Sequence, residues 1–203
     1  YYDGTRLGHI NASGFDFSAS GTTLAAGDIG AADLSTNLKT GFIPLDISTV
    51  KIISSDAFSA TTEGAIPDTN TAPSYQRVNG ATDKMGRLAW GAASVVEVQF
   101  SNFVYPPDLD DTAVVEVHFL AAMAGATDIP VVTVGYFEGV GDTNAGGNSG
   151  AVTGTTVAEY SVSITAANVG AQPNVAAVTL IPAAHTTDIL YVYGAWVEYT
   201  RKS

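Results

Sequence analysis

Cysteine is absent from this chain of 203 residues, so neither a disulfide framework nor a thiolate metal site can form. Charge is also scarce: Asp, Glu, Lys and Arg make up 14% of the residues, roughly half the share in an average soluble domain. The basic side is the scarcer one, with 8 Lys and Arg against 20 Asp and Glu and a formal net charge of −12. Because nucleic-acid binding depends on basic side chains that neutralise phosphates, the composition argues against a nucleic-acid partner.

Long apolar runs are missing as well. No stretch of 18 or more apolar residues occurs, so no membrane-spanning helix is predicted, and the first residues show no signal-peptide pattern. The chain opens at Tyr1 rather than Met, which leads us to expect that an N-terminal piece was processed away or left out. A hydrophobic share of 46% sets the chain apart from a disordered acidic tail. We therefore expect a folded, acidic domain.

The abundant residues favour β-structure, because Val and Thr suit a pleated surface. Segment 113–121 alternates: Val115, Val117 and Phe119 are predicted to face inward, and Glu116 and His118 outward. Further strands are predicted over 42–46, 50–53, 95–100, 131–137, 157–164, 175–181 and 189–199. About eight strands joined by Gly-, Pro- and Asn-rich connections predict an all-β fold, an antiparallel β-sandwich with jelly-roll topology.

The remaining segments predict how the chain is organised. Residues 1–30 are rich in Gly, Ser, Ala and Thr with scattered aromatics, which indicates an extended N-terminal arm lying on another surface. Residues 31–203 are predicted to form the sandwich. Segment 27–38 is either a short helix or a loop, and 54–84 is predicted to be a long loop.

No arrangement of residues points to catalysis. His9, His118 and His185 are far apart and lack the short spacings of a metal site. His118 shares a strand face with Glu116, so the pair could contact one ligand, although a solvated outer face is the simpler interpretation. Segment 146–150 has the wrong spacing for a serine nucleophile turn. A triad assembled from distant loops stays open, but nothing in the sequence indicates one.

Two loops offer weaker signals. Asp108, Asp110 and Asp111 are hard oxygen ligands that could hold Ca²⁺, but exposed acidic turns are common and the EF-hand spacing is missing. The Gly-rich segment 139–150 lacks the Gly-Lys-Ser/Thr ending of a phosphate loop and is predicted to be a mobile hairpin loop. Asn11 begins an N-glycosylation sequon, a pattern too short to carry weight alone.

Aromatic side chains are the other possible binding signal. Trp90 and Trp196 could stack on a sugar ring, although Trp196 sits in a long apolar strand where burial or a subunit contact is the favoured interpretation. The sequence thus predicts no catalytic, metal-binding or cofactor-binding residue, no cofactor and no enzymatic activity. The functions that remain compatible with the sequence are assembly with other subunits and binding of a ligand.

One part of the chain resembles a known family. The stretch ADLS at 32–35, which runs into GFIPL at 41–45, is similar to small structural proteins encoded beside the major capsid gene of tailed bacteriophages. Further pieces of the resemblance are an alternating strand at 95–100, a Pro-flanked turn at 105–107 before the strand at 114–119, and a closing strand with a basic tail at 190–202. The resemblance covers most of the chain from about residue 31.

The resemblance implies a jelly-roll head decoration (cement) protein. Such a protein would be made in the host cytoplasm, sit as a homotrimer on the outer surface of the virion, bind the major capsid protein and stabilise the shell by bridging capsid subunits. Absence of cysteine suits folding in a reducing cytoplasm. The arm would clamp a neighbouring subunit or the shell through its aromatics Tyr1, Tyr2, Phe15 and Phe17, although residues 1–17 match nothing in the family.

Two alternatives belong to other functional classes. A receptor- or carbohydrate-binding β-sandwich module would show a shallow groove lined by exposed Trp or Tyr. A strand-exchanging subunit of an extracellular filament would complete the sheet of the next copy with its arm and form open-ended polymers.

Overall fold

The computed structural model describes residues 9–11, 14–17, 22–24, 39–54, 57–58, 73–78, 85–140 and 143–202. The chain divides into two compact units, one of Tyr1–Thr40 with Ser203 and one of Gly41–Lys202. The first unit contains a three-stranded antiparallel sheet, in the order β1-β2-β3, of β1 (His9–Asn11), β2 (Gly14–Phe17) and β3 (Thr22–Leu24).

Three short strands therefore lie within the segment predicted to be an extended arm. Tyr1 and Tyr2 lie outside the described residues, and Phe15 and Phe17 belong to β2. Their role in assembly stays a prediction, as does the boundary between residues 30 and 31. Segment 27–38, interpreted as a helix or a loop, lies outside the described residues.

From residue 40 onward the described strands form a longer series. They are β4 (Thr40–Leu45), β5 (Lys51–Ser54), β6 (Ala57–Phe58), β7 (Ser74–Arg77), β8 (Gly86–Trp90), β9 (Glu97–Gln99), β10 (Phe103–Val104), β11 (Val115–Met123), β12 (Val131–Glu138), β13 (Gly147–Ala151), β14 (Ala158–Ile164), β15 (Val175–Pro182) and β16 (Leu190–Thr200). A short 3₁₀ helix, Ala166–Asn168, connects β14 to β15. No helix among the described residues is long and apolar enough to cross a membrane.

These strands form two sheets, named here by their central strands. The β15 sheet has the order β13-β12-β15-β9-β5-β6, with β10 also paired to β15. The β16 sheet has the order β14-β11-β16-β8-β7, with β4 also paired to β16. The two sheets form an antiparallel sandwich, which confirms the predicted fold class.

Eight of these strands, β8, β9 and β11–β16, pair as the strands of a jelly roll do. β8 pairs with β16, β9 with β15, β11 with β14 and β12 with β13, so the first four strands run back along the last four in reverse order. β8, β11, β14 and β16 lie in one sheet, and β9, β12, β13 and β15 in the other. This is the double-sheet jelly roll expected from the sequence.

The core is built from the inward-facing residues of these strands. On β11, Val115, Val117 and Phe119 are fully buried, which confirms the predicted alternation. Burial of each such side chain contributes roughly 1.5–3 kcal/mol before conformational entropy is counted. The largest fully buried side chains also include Trp90, Tyr136, Phe100, Leu88, Leu109, Met123, Ile164, Leu180 and Leu190. The Trp90 side chain also satisfies its one polar group there, because its indole N–H donates to the Val96 carbonyl at 2.8 Å.

Two predicted loops contain strands. Segment 54–84 includes β7, which pairs with β8 at the end of the β16 sheet. Segment 139–150 includes the start of β13, which pairs with β12 and is fixed by a hydrogen bond from the Val132 N–H to Ser149 Oγ at 3.1 Å. Both strands lie at the end of their sheet order and are mainly polar or glycine-rich, so the alternation that marks a half-buried strand is weak in them.

Candidate functional site

The outer face of the β16 sheet carries a row of aromatic side chains because β16 contains a β-bulge. In the pairing of β11 with β16, Leu120 lies opposite Gly194 and Ala121 opposite Val192, which leaves Tyr193 as an extra residue. Alternation has a period of two, so one extra residue reverses which positions face outward. The bulge thereby places Tyr191 and Tyr193 on the same face as Trp196 and Glu198, while Leu190, Val192, Val197 and Tyr199 are buried.

Arg87 is held against two of these aromatics. Its guanidinium carbon lies 3.5 Å from the centroid of the Tyr191 ring, close enough for a cation–π contact. Its Nη1 donates to the Tyr193 hydroxyl at 3.3 Å, and the two tyrosine rings meet edge to face at 6.3 Å. Arg87 Nε is buried and has no hydrogen-bond partner. The guanidinium is thus oriented by the aromatics and retains an unused donor.

A depression of about 360 Å³ lies beside this group. Its lining comprises Ser74, Gln76, Arg87, Ala89, Gly91, Ile189 and Tyr191. Gln76 Nε2 donates to Ser74 Oγ at 2.9 Å, so the amide of the glutamine is fixed by its neighbour on β7. The volume lies at the small end of the range for small-molecule sites, and the lining joins an aromatic ring to hydrogen-bonding groups.

Beyond the bulge, the same face carries a cluster of carboxylates around His118. The imidazole Nδ1 lies 2.8 Å from Glu159 Oε1, and Nε2 lies 3.4 Å from Glu116 Oε2 and 3.7 Å from Glu198 Oε2. Strand register brings these groups together, since Glu116 lies opposite Glu198 on β16 and opposite Ser163 on β14. Four ionisable side chains from three adjacent strands therefore meet at one point.

Trp196 covers the imidazole of this cluster. The two rings are stacked, with centroids 5.1 Å apart and planes 4° apart. His118 points outward, as predicted, but its side chain is only 9% exposed. The interpretation of His118 as part of a solvated outer face is therefore wrong, because the indole and the glutamates exclude water. Trp196 itself is half-buried, so neither full burial nor full exposure describes it.

Glu116 and His118 share one strand face, as predicted, and lie 3.4 Å apart at Oε2 and Nε2, but sequence reasoning missed Glu159 and Glu198. Those glutamates come from β14 and β16, which are separated in sequence from β11 and meet it only through the jelly-roll pairing. In the sequence, only their predicted outward positions on alternating strands marked these two glutamates as surface residues.

Other sequence candidates are dispersed. Asp108 accepts from the Tyr199 hydroxyl at 3.1 Å, Asp110 from the Thr112 hydroxyl and N–H, and Asp111 from the Gln172 N–H. The hydrogen bonds from Thr112 lower the pKa of Asp110. Each carboxylate thus serves its own loop contact, and the structure does not gather the three aspartates into a calcium site.

His185 and Trp90 do not reach the candidate site. His185 is buried, and its ring nitrogens face the carbonyls of Ala183 and Trp90. Trp90 is fully buried and cannot stack on a sugar. His9 lies on β1, and so does Asn11 of the sequon, whose other two residues lie outside the described part of the chain.

Comparison with known proteins gives structural similarities only. No family model matches the chain, and no curated protein matches it. The fold is similar to a xylan-binding module, CBM15, at 10% identity and a TM-score of 0.47, covering 81% of this chain and 99% of that one. It is also similar to the CBM36-1 domain of a xylanase from the hindgut metagenome of Trinervitermes trinervoides, at 10% identity and a TM-score of 0.41, covering 78% and 95% of the two chains. A third similar structure is CBM86, a low-affinity xylan-binding module from Roseburia intestinalis, at 16% identity and a TM-score of 0.39, covering 80% and 96%.

Proposed function

We propose that this protein is a carbohydrate-binding β-sandwich module and that its binding surface is the outer face of the β16 sheet. The observation that carries the proposal is the row of Tyr191, Tyr193 and Trp196, which the bulge places on one face. A pyranose ring presents apolar C–H groups on its faces and hydroxyls around its edge. Aromatic rings on a sheet face can stack on the C–H groups, and polar side chains beside the rings can form hydrogen bonds with the hydroxyls.

Those polar side chains are present beside the aromatics. Arg87 is oriented by Tyr191 and Tyr193 and lines the depression beside them. Gln76 and Ser74 line the same depression. A guanidinium that is already fixed loses little conformational entropy when it donates to hydroxyls, so this arrangement favours binding of a polyol.

The experiment is affinity electrophoresis and calorimetry against soluble polysaccharides, with xylan, mixed-linkage β-glucan, galactan and mannan as the panel. We expect at least one of them to bind. The variants Trp196→Ala and Arg87→Ala are expected to weaken binding by about tenfold or more, corresponding to about 1.4 kcal/mol.

The matched control is Phe137→Ala. Phe137 lines a second depression, of about 300 Å³, that also contains Glu97 and Thr179 and therefore belongs to the β15 sheet. The variant should bind as the unmodified protein does. The proposal is overturned if no polysaccharide binds, or if Phe137→Ala loses binding while Trp196→Ala keeps it.

The role in capsid decoration remains a separate proposal that rests on the sequence resemblance. It includes the homotrimer, the location on a virion and contact with the major capsid protein. Its test is cosedimentation of the protein with phage heads that lack decoration, compared with the same protein deleted for residues 1–17. Unchanged binding of the deleted protein would contradict the role of the arm.

A further inference from the structure

We propose that Glu116, His118 and Glu198 form a binding site for a divalent transition-metal cation of the zinc class. The ligands are Nε2 of His118 and one carboxylate oxygen from each glutamate. The site is separate from the depression beside Arg87, and its binding chemistry does not depend on carbohydrate.

The hydrogen bond at Nδ1 determines which nitrogen of His118 is available. Nδ1 lies 2.8 Å from Glu159 Oε1, and a carboxylate can only accept, so Nδ1 carries the hydrogen and donates it. In the neutral imidazole, Nε2 then presents a lone pair toward Glu116 and Glu198. A histidine whose other nitrogen donates to a carboxylate is the usual arrangement of a metal-bound imidazole.

Nε2 of His118 lacks a hydrogen-bond partner although it is buried. The side chain is 9% exposed, and Nε2 itself is inaccessible to solvent and forms no hydrogen bond. A buried polar atom in this state destabilises the fold, because it has lost its hydrogen bond to water and gained none in return. A cation bound at Nε2 removes that penalty, because it replaces the missing partner.

Distances among the three ligand atoms fit a metal. Nε2 lies 3.4 Å and 3.7 Å from the two carboxylate oxygens, and all three atoms lie within 4.8 Å of one another. Tetrahedral coordination with metal–ligand distances of about 2.0–2.2 Å separates neighbouring ligand atoms by about 3.3–3.6 Å. The two separations from Nε2 therefore lie within or just above this range. Among the described residues, no other set of three such side chains lies this close together.

Charge favours a cation at the same point. Glu116, Glu159 and Glu198 surround a single imidazole, in a chain whose formal net charge is −12. Three carboxylates outnumber the one positive charge that a protonated imidazole would supply. A divalent cation compensates the excess and bonds directly to three of the four groups.

Neighbouring side chains fix the ligands. The Ser163 hydroxyl donates to Glu116 Oε1 at 2.7 Å, which turns the other oxygen of that carboxylate toward Nε2. Trp196 stacks on the imidazole and fixes its plane. Glu159, Ser163 and Trp196 are thus positioning residues. Glu116 and Glu198 are 38% and 36% exposed, so solvent can supply a fourth ligand.

The choice of cation follows from the donor atoms. One imidazole nitrogen and two carboxylate oxygens suit Zn²⁺, whereas Mg²⁺ and Ca²⁺ prefer all-oxygen sites with more ligands. Zn²⁺ and its spectroscopic substitute Co²⁺ are therefore the probes.

The test is titration of the chelator-treated chain with Zn²⁺ by calorimetry and with Co²⁺ by absorption and tryptophan fluorescence. We expect one Zn²⁺ per chain, a Co²⁺ spectrum typical of four-coordinate geometry, and quenching of Trp196, whose ring contacts the ligand imidazole. His118→Gln, Glu116→Gln and Glu198→Gln are each expected to weaken Zn²⁺ binding at least tenfold.

The matched control is Glu97→Gln, which removes one negative charge on the β15 sheet and should leave Zn²⁺ affinity unchanged. Trp196→Phe should retain Zn²⁺ binding but lose most of the fluorescence response. If His118→Gln fails to fold, Glu198→Gln decides, because its side chain is partly exposed. Absence of stoichiometric Zn²⁺ binding overturns the proposal, and so does Zn²⁺ binding by the three ligand variants that is as tight as that of the unmodified protein. No sugar is present in these titrations, so a negative result leaves the carbohydrate proposal standing.

Discussion

Asp128 and Asp188 each hold the loop that carries the other. Asp128 Oδ2 accepts the backbone N–H groups of Thr186, Thr187 and Asp188 at 3.0, 2.6 and 2.8 Å. Asp188 Oδ2 accepts those of Thr127 and Asp128 at 2.7 and 3.0 Å. These loops lead into β12 and β16, so the reciprocal contact fixes the start of the strand that carries the aromatic row.

The first prediction concerns the acid stability of this contact. The backbone N–H groups of Asp188 and Thr187 lower the pKa of Asp128 below its ordinary value of about 4. A carboxylate with a lowered pKa in the folded state stabilises the fold above its unfolded pKa, and this contribution is lost as the pH falls through the folded pKa. Asp128→Asn should therefore lower the Tm at pH 7, with the difference shrinking as the pH falls below the unfolded pKa of about 4 and through the lowered folded pKa.

Thermal unfolding of both proteins across this pH range checks the expectation. Asp111→Asn is the control, because Asp111 accepts a single backbone N–H, from Gln172 at 3.2 Å. It should change the Tm less. A deficit in Asp128→Asn that persists unchanged at low pH would show that the charge of Asp128 is not what stabilises the loops.

The second prediction concerns a buried hydroxyl pair. The hydroxyls of Tyr105 and Tyr136 lie 2.6 Å apart inside the sandwich. Burial raises the pKa of Tyr136 far above its ordinary value, so the Tyr136 hydroxyl stays neutral in alkaline solution. Tyr136→Phe deprives Tyr105 of this partner and is expected to reduce the free energy of unfolding by about 1–3 kcal/mol. Urea titration measures this, and the double variant Tyr105→Phe/Tyr136→Phe should recover part of the loss.

The third prediction compares two glycines at β13. A side chain at Gly146 would overlap the Val134 carbonyl, a backbone group that cannot move aside, whereas nothing lies within 4 Å of a side chain at Gly150. Gly146→Ala should reduce the free energy of unfolding by about 1–3 kcal/mol or prevent folding. Gly150→Ala should be neutral or slightly stabilising, because it reduces the entropy of the unfolded chain. Equal stabilities in denaturant titrations would contradict this account of the β12–β13 pairing.

Sequence reasoning located most of the long strands that have one buried face, but it missed β8, whose Leu88 and Trp90 are buried. β11 and β15 follow the predicted ranges to within two residues, because Val115, Val117 and Phe119 on β11 alternate with polar residues. β7 was missed because its sequence, SYQR, has no such alternation. At an edge, pairing with β8 defines the strand instead.

The candidate sites were harder to predict than the strands. Glu159 and Glu198 reach His118 only through strand pairing between distant segments. The bulge at Tyr193 depends on the register of β11 against β16. Local alternation alone would place Tyr191 and Trp196 on opposite faces, whereas the structure places them on one.

The last prediction is the mass in solution, measured by light scattering across the chromatographic peak. The resemblance to capsid decoration proteins predicts a closed trimer of about three times 20.8 kDa. A monomer would favour an isolated binding module, since a sugar-binding face acts without a partner subunit. Open-ended polymers would favour the filament, because a head-to-tail contact that does not close forms fibres. Trp196→Ala is the informative companion variant: if the mass falls when the indole is removed, the face assigned to carbohydrate is a contact between subunits instead.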